Sequence, residues 1–415
     1  MSNWREQLAE EGETRAMVDW LLEYYHYPVM LSLFVFALWN RLRNYENFIV
    51  EGDVLYSGND PWYHARSTQY AIHNFPETMP FDPWTFFPHG TSVGQFGTLF
   101  DQLIALVALI VGLGDPSAHT SQVVILVAPA FFGALVAVPA YFIGRRLGGR
   151  FGGIVAAMFV AFTPDRLLSV SLAGSTQHEV AEALFMGLAV LGVMVALSAA
   201  ERDLPVYELL VDGEHDALRA PIGWAMLAGV AIGLYLWVWP PGVFLYGILG
   251  VFFVIHLSFE HVRGRSPEHA AFVGSIAFAT AGIMQLAGVR TLGINATQRS
   301  LLQPAMGLGL ALGLVVLAWL SREVDRRDVS PLTYPVAIVA AIGVTAGLAM
   351  FLTPTIFSFF VDQVNRVLGF ITAPGTAEGT IGEAQRGDLQ EDIIDVYRFA
   401  SFTALLGGLI IFIKQ

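Results

Sequence analysis

The feature that most constrains this chain is a series of apolar runs, each close to the ~20 residues that a helix needs to cross a bilayer. The clear runs lie at about 27–42, 121–143, 151–166, 180–199, 220–238, 241–258, 270–288, 304–320, 333–352 and 395–414. Within lipid, a chain satisfies its own backbone hydrogen bonds only as helices or a closed barrel. The sequence therefore predicts an all-α polytopic membrane protein with about ten transmembrane helices.

The arginines predict how these helices are oriented. Short basic turns at 145–150, 263–265 and 322–327 are expected to be cytoplasmic, because positive charge is retained on that side. Residues 44–120, which we call the first loop, are then external only if the apolar run 98–114 does not cross. That run is short and contains Asp101, so a surface or re-entrant helix is expected there. Arg41 and Arg43 count against this orientation.

The same count divides the chain into regions. We expect residues 1–26 to form a cytoplasmic or interfacial segment and residues 27–415 to form the transmembrane domain. Its long external loops are the first loop and a late loop at 353–394. The expected localisation is the cell membrane, with several spans and with the polar motifs on the external face.

Composition excludes several function classes. The net charge is -13, which excludes a nucleic-acid partner that needs basic patches. The chain contains no cysteine, so neither a disulfide framework nor a thiolate zinc site is available. Only 14% of the residues are charged, well below the share in a soluble domain.

Three acidic motifs interrupt the apolar pattern on the predicted external side. The first runs from Gly58 to Arg66, where Asp60 is followed by Pro61 and an aromatic pair. We interpret Asp60 as a ligand of a divalent metal at the membrane surface. Taken alone, the pattern also fits a helix N-cap aspartate followed by proline, and that alternative is favoured for an isolated motif.

The second motif, residues 174–179, stands at the start of the fourth span and contains His178 and Glu179. Glu182 follows one helical turn later. Carboxylates at the end of a membrane helix are costly unless they are solvated, paired or bound to a cation. Carboxylate and imidazole ligands suit ions such as Mn²⁺. A capping box formed by Thr176 and Glu179 is compatible with the same residues.

The third motif, Thr380-Ile381-Gly382-Glu383, lies in the late loop and is weak by itself. Two further features accompany it. Trp239 begins a rigid Trp-Pro-Pro-Gly turn suited to stacking on a sugar or a headgroup, or to anchoring at the interface. Arg398 starts the last span, where a guanidinium can hold a phosphate or simply snorkel.

In this order, the motifs resemble those of the catalytic subunit of oligosaccharyltransferase in its archaeal single-subunit form. The resemblance rests on 60–66, 81–84, 87–90, 174–181, 239–242 and 380–383, and so extends over nearly the whole chain. It implies a GT-C-type glycosyltransferase architecture.

The resemblance also implies an activity. Such an enzyme transfers a preassembled oligosaccharide from a dolichol phosphate or pyrophosphate carrier to asparagine in Asn-x-Ser/Thr of an acceptor protein. Mn²⁺ or Mg²⁺ is implied as the cofactor, with Asp60, Glu179, Gln177 and His178 as the candidate ligands. Asp60 and Glu383 are the candidate catalytic residues, and Arg398, Trp239, His64 and Arg66 are candidates for binding substrate.

The sequence departs from the family pattern in three ways. Gln177 stands where the family usually has aspartate, and Val170 stands where it usually has arginine. Arg166 is close enough in sequence to substitute for that arginine if the loop bends. The external C-terminal domain with a Trp-Trp-Asp motif, which family members carry, is expected to be absent from this chain.

Other functions stay open at this point. Another polyprenyl-phosphate-sugar glycosyltransferase needs the first-loop aspartate but not Thr-Ile-x-Glu. A transporter places ionisable groups within its spans, whereas the carboxylates here gather at one surface. An inactive or fragmentary relative is compatible with Gln177 and Val170.

Overall fold

The structure is a computed structural model that describes residues 19–20, 22–95, 97–162, 166–201, 205–368 and 406. In chain order the helices are α1 His26–Leu42, α2 Asn59–Asn74, α3 Leu99–Val111, α4 Ala118–Leu135, α5 Ala137–Phe162, α6 Arg166–Val170, α7 Glu179–Ala200, α8 Val206–Val211, α9 His215–Val238, α10 Val243–Val262, α11 Glu268–Leu286, α12 Leu302–Arg326, α13 Thr333–Leu352 and α14 Pro354–Leu368. Short 3-10 helices occupy Tyr45–Phe48, Val93–Gln95 and Pro240–Gly242. The predicted helical fold is confirmed.

The helices divide into two compact units, residues 1–323 and residues 324–415. In the second unit, α13 is apolar along its length and α14 follows after a break at Thr353. Helix α14 lies inside the stretch 353–394 that the sequence predicted to be loop, so the first part of that stretch is helical. The expected span at 395–414 and most of the expected segment 1–26 lie outside the described residues.

Helix α5 contains a reversal that separates two expected spans. Gly149 has φ 67°, a left-handed conformation that glycine adopts without steric cost. A Cβ on Gly144 would lie 2.5 Å from the carbonyl oxygen of Gly152, so the segments on either side run close together. The chain therefore turns back within the basic stretch 145–150, between the spans predicted at 121–143 and 151–166.

Seven described helical stretches are long and apolar enough to cross a membrane. They are Ala118–Phe162, Glu179–Ala200, His215–Val238, Pro240–Val262, Glu268–Leu286, Leu302–Arg326 and Thr333–Leu352. Helix α3 has only 13 residues, too few to span, as expected for the run 98–114. The multi-pass prediction is confirmed, while the figure of about ten spans stays a prediction.

The first loop is folded rather than irregular. Two small antiparallel ladders, β1 Ile49–Val50 with β2 Asp53–Val54 and β3 Phe81–Asp82 with β4 Thr91–Ser92, flank helix α2. Helix α2 packs on α3, and α3 packs on α4. The loop is therefore anchored to the membrane-spanning helices through α3.

Arg41, which counted against the predicted orientation, lies inside the protein. Its side chain is 1% exposed and donates hydrogen bonds to Ser171 Oγ at 2.8 Å, Val160 O at 3.0 Å and Ala37 O at 3.1 Å. An arginine that is buried and hydrogen-bonded in this way packs helices together, so it carries little weight in a count of loop charges.

Candidate active site

The site begins with Asp60 in the first turn of α2. Gly58 precedes the helix with φ 88°, which favours glycine, and no side chain caps the helix. Asp60 is exposed, whereas Pro61, His64 and Ala65 on the same helix are buried. Asp60 is therefore not the N-cap residue that the alternative interpretation required. Its carboxylate benefits from the helix dipole and faces outward.

Helix α2 is held in place by an ion pair with the β3–β4 ladder. Arg66 donates to Asp82 through Nη2 at 2.6 Å and Nε at 3.2 Å. Asp82 also accepts from Thr85 Oγ1 at 2.6 Å and from the backbone N–H of Trp84 at 3.1 Å. Burial alone would raise the pKa of Asp82, but these donors outweigh it and lower the pKa. The guanidinium of Arg66 thus positions the helix, and its predicted role in substrate binding stays a prediction.

A chain of four polar side chains joins the first loop to α7. Asp101 Oδ1 lies 2.7 Å from His64 Nδ1, and His64 Nε2 lies 3.1 Å from His178 Nδ1. His178 Nε2 then lies 3.3 Å from Glu182 Oε1. We call these residues the relay; the Asp101 and His64 side chains are 1% and 3% exposed.

Hydrogen bonding selects one protonation pattern for the relay. If His64 is an imidazolium, it donates to both Asp101 and His178 Nδ1, and His178 donates through Nε2 to Glu182. All three contacts are then hydrogen bonds. If both imidazoles are neutral, each ring carries one N–H. The two N–H groups can then serve only two of the three contacts, and the third contact brings two hydrogen-bond acceptors together. The geometry therefore places one charge on His64 and leaves His178 neutral.

The electrostatic surroundings agree with this pattern. Burial alone would lower the pKa of His64, but the Asp101 carboxylate outweighs it, so the pKa is raised. Burial lowers the pKa of His178, and the neighbouring positive charge of His64 lowers it further. The negative charges of Asp60 and Glu179 also act on both imidazoles. The motifs on the two loops therefore share one electrostatic environment.

Glu179 is the first residue of α7, and Arg166 bends back to meet it. Arg166 Nη2 lies 3.0 Å from Glu179 Oε1. Gln177 contributes as well: with its amide oriented to satisfy its neighbours, its nitrogen lies 3.2 Å from Glu179 Oε1. Val170, where the family pattern has arginine, is buried. Arg166 thus supplies a positive charge beside Glu179, as the bent-loop alternative anticipated.

The capping box does not form. Thr176 is fully buried and its hydroxyl donates to the carbonyl oxygen of Ile125 at 3.0 Å. His178 is the residue before α7, and it makes no side-chain cap. Thr176 therefore anchors the second motif to α4, which leaves Glu179 available for Arg166.

The Trp-Pro-Pro-Gly turn lies next to this arrangement. Trp239 packs against an apolar cluster that includes Ala65, Phe100, Val180 and Val238. Gly97 of the first loop approaches so closely that a Cβ there would lie 1.6 Å from the carbonyl oxygen of Val238. The first loop, the start of α7 and the turn after α9 therefore meet, and the predicted role of Trp239 in substrate binding stays a prediction.

The predicted metal ligands are near one another but are not gathered as a complete ligand set. Across the described ranges, no group of three or more His, Asp or Glu side chains is arranged to hold a metal ion. Both nitrogens of His178 face relay partners, and Glu179 is engaged by Arg166. The oxygen donors are chemically suited to hard cations, but this arrangement does not assemble them, and we derive no step through a metal.

Two predicted site residues, Glu383 and Arg398, lie outside the described residues. The structure also adds participants that the sequence did not single out. Asp101 appeared only as an interruption of an apolar run, and Asp82 only as part of a motif. An acid within an apolar stretch that can reach a histidine is the signal that identifies Asp101.

A sequence model of the family oligosaccharyl transferase STT3, N-terminal, matches residues 30–355. The dolichyl-monophosphooligosaccharide–protein glycotransferase AglB of Haloferax volcanii is 46% identical over 363 residues, covering 88% of this chain and 34% of that protein. Dolichyl-phosphooligosaccharide-protein glycotransferase 3 of Archaeoglobus fulgidus is 26% identical over 268 residues, covering 65% of this chain and 30% of that protein.

Solved structures share the fold. The archaeal oligosaccharyltransferase AglB of Archaeoglobus fulgidus, in complex with an inhibitory peptide and a dolichol-phosphate, superposes with a TM-score of 0.74 at 23% identity. The match covers 87% of this chain and 41% of that one. A structure of the Archaeoglobus fulgidus oligosaccharyltransferase with Zn and sulfate gives a TM-score of 0.67 at 24% identity, covering 79% and 40% of the two chains. The expected GT-C-type architecture is confirmed.

These matches cover most of this chain but only part of each relative. The chain spans about a third of the length of the curated relatives, 34% and 30% of the two described above. The family match nevertheless covers well over half of the chain, including the first loop, the relay, Glu179 and the Trp239 turn. The chain belongs to the STT3 family of oligosaccharyl transferases.

Proposed function

We propose that this chain carries the catalytic membrane part of an oligosaccharyltransferase. In this proposal it transfers a preassembled oligosaccharide from a dolichol phosphate or pyrophosphate carrier to the asparagine of Asn-x-Ser/Thr in an acceptor protein. The related proteins from Haloferax volcanii and Archaeoglobus fulgidus are named as glycotransferases that use dolichyl-linked oligosaccharides. The substrate classes come from those relatives.

The main observation in support of the proposal is that the N-terminal ends of α2 and α7 lie close together. Asp60 in the first turn of α2 and Glu179 at the start of α7 are joined through the His64–His178 contact of 3.1 Å. Asp60 is exposed, while the residues that position it are buried. An exposed carboxylate on a rigid support is suited to bind a reacting group rather than to stabilise the fold.

The chemistry requires help for a weak nucleophile. The nitrogen of an asparagine amide is delocalised, so carboxylates that accept its hydrogens favour its attack on the sugar carbon. In this proposal Asp60 is an acceptor, and the role that the family resemblance implies for Glu383 stays a prediction. Arg166, held beside Glu179 at 3.0 Å, supplies a positive charge near the position where the departing phosphate gains negative charge.

Metal dependence, on Mn²⁺ or Mg²⁺, is part of the proposal. Asp60, Glu179 and the amide oxygen of Gln177 are donor types that such ions prefer, and His178 adds an imidazole. An Archaeoglobus fulgidus relative has been solved with Zn and sulfate, which supports cation binding in that protein.

We place the site on the external face of the membrane. The supporting observation is that the start of α7 and the ends of α9 and α11 lie together: Val180 and Val238 share one cluster, and Gln285 Nε2 donates to Gly233 O at 2.9 Å. We call this the site end of the bundle. The basic turns at 145–150 and 263–265 fall at the opposite ends of their helices, as cytoplasmic turns should.

The test uses the full-length gene product in membranes, with lipid-linked oligosaccharide, a fluorescent Asn-x-Thr peptide and added Mn²⁺. Asp60→Asn keeps the size of the side chain and should reduce transfer at least about 100-fold. Glu77→Gln is the matched control, because Glu77 is an exposed acid in the same loop. No transfer by the wild-type protein, or equal transfer by Asp60→Asn, contradicts the proposal.

A further inference from the structure

The loop 287–301, between α11 and α12, contains buried donors that the proposed reaction does not use. It lies at the site end, because Gln285 at the end of α11 donates to Gly233 near the end of α9. Gln303 Nε2, just after the loop, donates to Gln298 O at 2.8 Å and lies 3.5 Å from Pro240 O of the Trp239 turn. The loop and the candidate active site therefore share one face of the protein.

Arg299 is the main feature of this loop. Its Nε is buried, and the side chain makes no hydrogen bond or ion pair with any residue in the described part of the chain. Arg290 approaches it from the other side of the loop, where the backbone N–H of Arg290 donates to Arg299 O at 2.8 Å. Arg290 is exposed and likewise has no acidic partner among residues the structure describes.

Thr291, which follows Arg290 in the chain, contributes a third donor. The hydroxyl of Thr291 is buried without a hydrogen-bond partner in the described ranges, and the Thr291 N–H donates to Arg299 O at 3.2 Å. Hydroxyl and guanidinium groups buried without an acceptor are costly, so such groups are rare unless a ligand or water completes them.

The backbone makes room for the Arg299 guanidinium at Gly288. A Cβ at that position would lie 2.3 Å from Arg299 Nη2, so a larger residue would displace the guanidinium. Glycine therefore allows the arginine to lie against the end of α11. This close fit indicates a definite position for the charge, unlike that of a solvated surface arginine.

The charges in the loop are of one sign. Burial and, to a smaller extent, the nearby positive charge of Arg290 together lower the pKa of Arg299 to about 10. Two guanidinium groups that repel one another are stabilised when an anion bridges them. A phosphate group suits this arrangement, because its oxygens can accept hydrogen bonds from both guanidinium groups and from a hydroxyl.

The apolar residues of the loop indicate where that anion comes from. Leu292 is 83% exposed and Ile294 is 39% exposed, and both lie between the two arginines in sequence. The loop also joins two helices that are long and apolar enough to span. Exposed apolar side chains beside arginines at the end of a span are typical of the headgroup layer.

We propose that Arg290, Thr291 and Arg299 form a binding site for the phosphate of a membrane lipid headgroup. The phosphate accepts from both guanidinium groups and from the threonine hydroxyl, while Leu292 and Ile294 contact the acyl or prenyl chain. Two kinds of lipid carry this chemistry, a bulk phospholipid and a polyprenyl phosphate. The site does not depend on the proposed transfer reaction, since a phospholipid alone suffices to fill it.

The experiment titrates the purified full-length protein in detergent with three probes and counts bound molecules by native mass spectrometry. The probes are short-chain phosphatidylglycerol, farnesyl phosphate and inorganic phosphate. Arg299→Gln should weaken lipid binding about tenfold, as expected for loss of charge-assisted hydrogen bonds. Arg290→Gln tests the exposed half of the site if Arg299→Gln does not fold. Arg219→Gln is the control, because Arg219 is an exposed arginine paired with Asp216 at the opposite end of α9.

The outcomes are distinct. Weaker binding of both lipids by the loop variants, with Arg219→Gln unchanged, supports a general headgroup phosphate site. A loss confined to farnesyl phosphate assigns the site to the polyprenyl carrier, and a loss confined to phosphatidylglycerol assigns it to bulk lipid. Equal binding by wild type and both loop variants, or binding of inorganic phosphate alone, overturns the proposal.

Discussion

Two polar clusters lie at the site end, and they differ in how completely their donors are satisfied. In the relay, each ring nitrogen of His64 and His178 faces a partner, and the acidic residues Asp101 and Glu182 close its two ends. Its one buried atom without a hydrogen bond among the described residues is an acceptor, Asp101 Oδ2, and not a donor. In the loop 287–301, the Arg299 and Thr291 donors lack acceptors among the described residues. Donors that are paired within the protein position groups, whereas buried donors without an acceptor are suited to bind a ligand.

The difference has a consequence for stability. Removing one partner of the buried His64–Asp101 pair leaves an uncompensated charge, which is strongly destabilising. Removing a charge that has no partner relieves a desolvation cost instead. Substitutions in the two clusters should therefore change the free energy of unfolding with opposite signs.

The largest effect is expected for Asp101→Asn. The imidazolium of His64, 3% exposed, would lose its negative partner at 2.7 Å. We expect the free energy of unfolding to fall by about 3–5 kcal/mol, measured by denaturant titration in detergent. Asp115→Asn, at an exposed acid beyond the end of α3, should leave it unchanged. Equal stability of the two variants would contradict the relay.

A smaller loss is expected for Arg66→Gln. Asp82 is fully buried, and two of its hydrogen bonds come from Arg66. The bonds from Thr85 and Trp84 remain, so we expect a loss of about 1.5–3 kcal/mol in the same titration. If Arg66 acts mainly on substrate instead, stability would stay at the wild-type value while the KM for the lipid-linked donor rises.

The relay also predicts a pH dependence with two opposed slopes. Because the pKa of His64 is raised in the folded protein, His64 contributes its full stabilisation at pH values below 6.5, its pKa in the unfolded chain. That contribution is lost as the pH rises through the pKa of the folded state. The lowered pKa of His178 makes stability fall as pH drops below 6.5, because the unfolded chain then binds the extra proton. The pair should therefore contribute most near pH 6.5, with slopes of at most about 1.4 kcal/mol per pH unit.

His64→Asn separates these contributions. The variant should lose the alkaline slope of the unfolding free energy, measured between pH 6.5 and 9, relative to wild type. His73→Asn, at an exposed histidine at the other end of α2, serves as the control and should keep it. A wild-type alkaline slope in His64→Asn would show that another group causes it.

The smallest effect, with the opposite sign, is expected for Arg299→Leu. The substitution removes a desolvated charge that lacks an acceptor in the described part of the chain. In lipid-free detergent we expect stability to stay level or to rise by about 1 kcal/mol, and added phosphatidylglycerol should stabilise wild type only. A loss comparable to that of Asp101→Asn would show that the two clusters do not differ.

Much of this architecture follows from the sequence because it depends on local patterns. Apolar run lengths predict the helices, and loop charges predict that Asp60 and Glu179 share one side. The short run with Asp101 forms a helix of only 13 residues, which is too short to cross a bilayer. The reversal at Gly149 was implied by two runs separated by a basic stretch, although its backbone conformation was not.

The relay was not predictable in the same way. Asp101, His64 and His178 come from three separate segments, and their contacts depend on how α2, α3 and α7 pack. The spacing of residues along one helix does not predict contacts between residues on different helices. For the same reason the ion pair of Arg66 with Asp82 was not predictable, because only the folded first loop brings the β3–β4 ladder near α2.

The most direct test of the central claim is a double-mutant cycle of glycan transfer with Asp60→Asn and Glu179→Gln in the full-length gene product. If the two carboxylates serve one site, the double variant should lose no more transfer than the worse single variant, since residues acting as a unit are strongly non-additive. Glu77→Gln combined with Asp60→Asn provides the control for an exposed acid in the same loop. Losses that multiply for Asp60→Asn and Glu179→Gln would contradict a shared site.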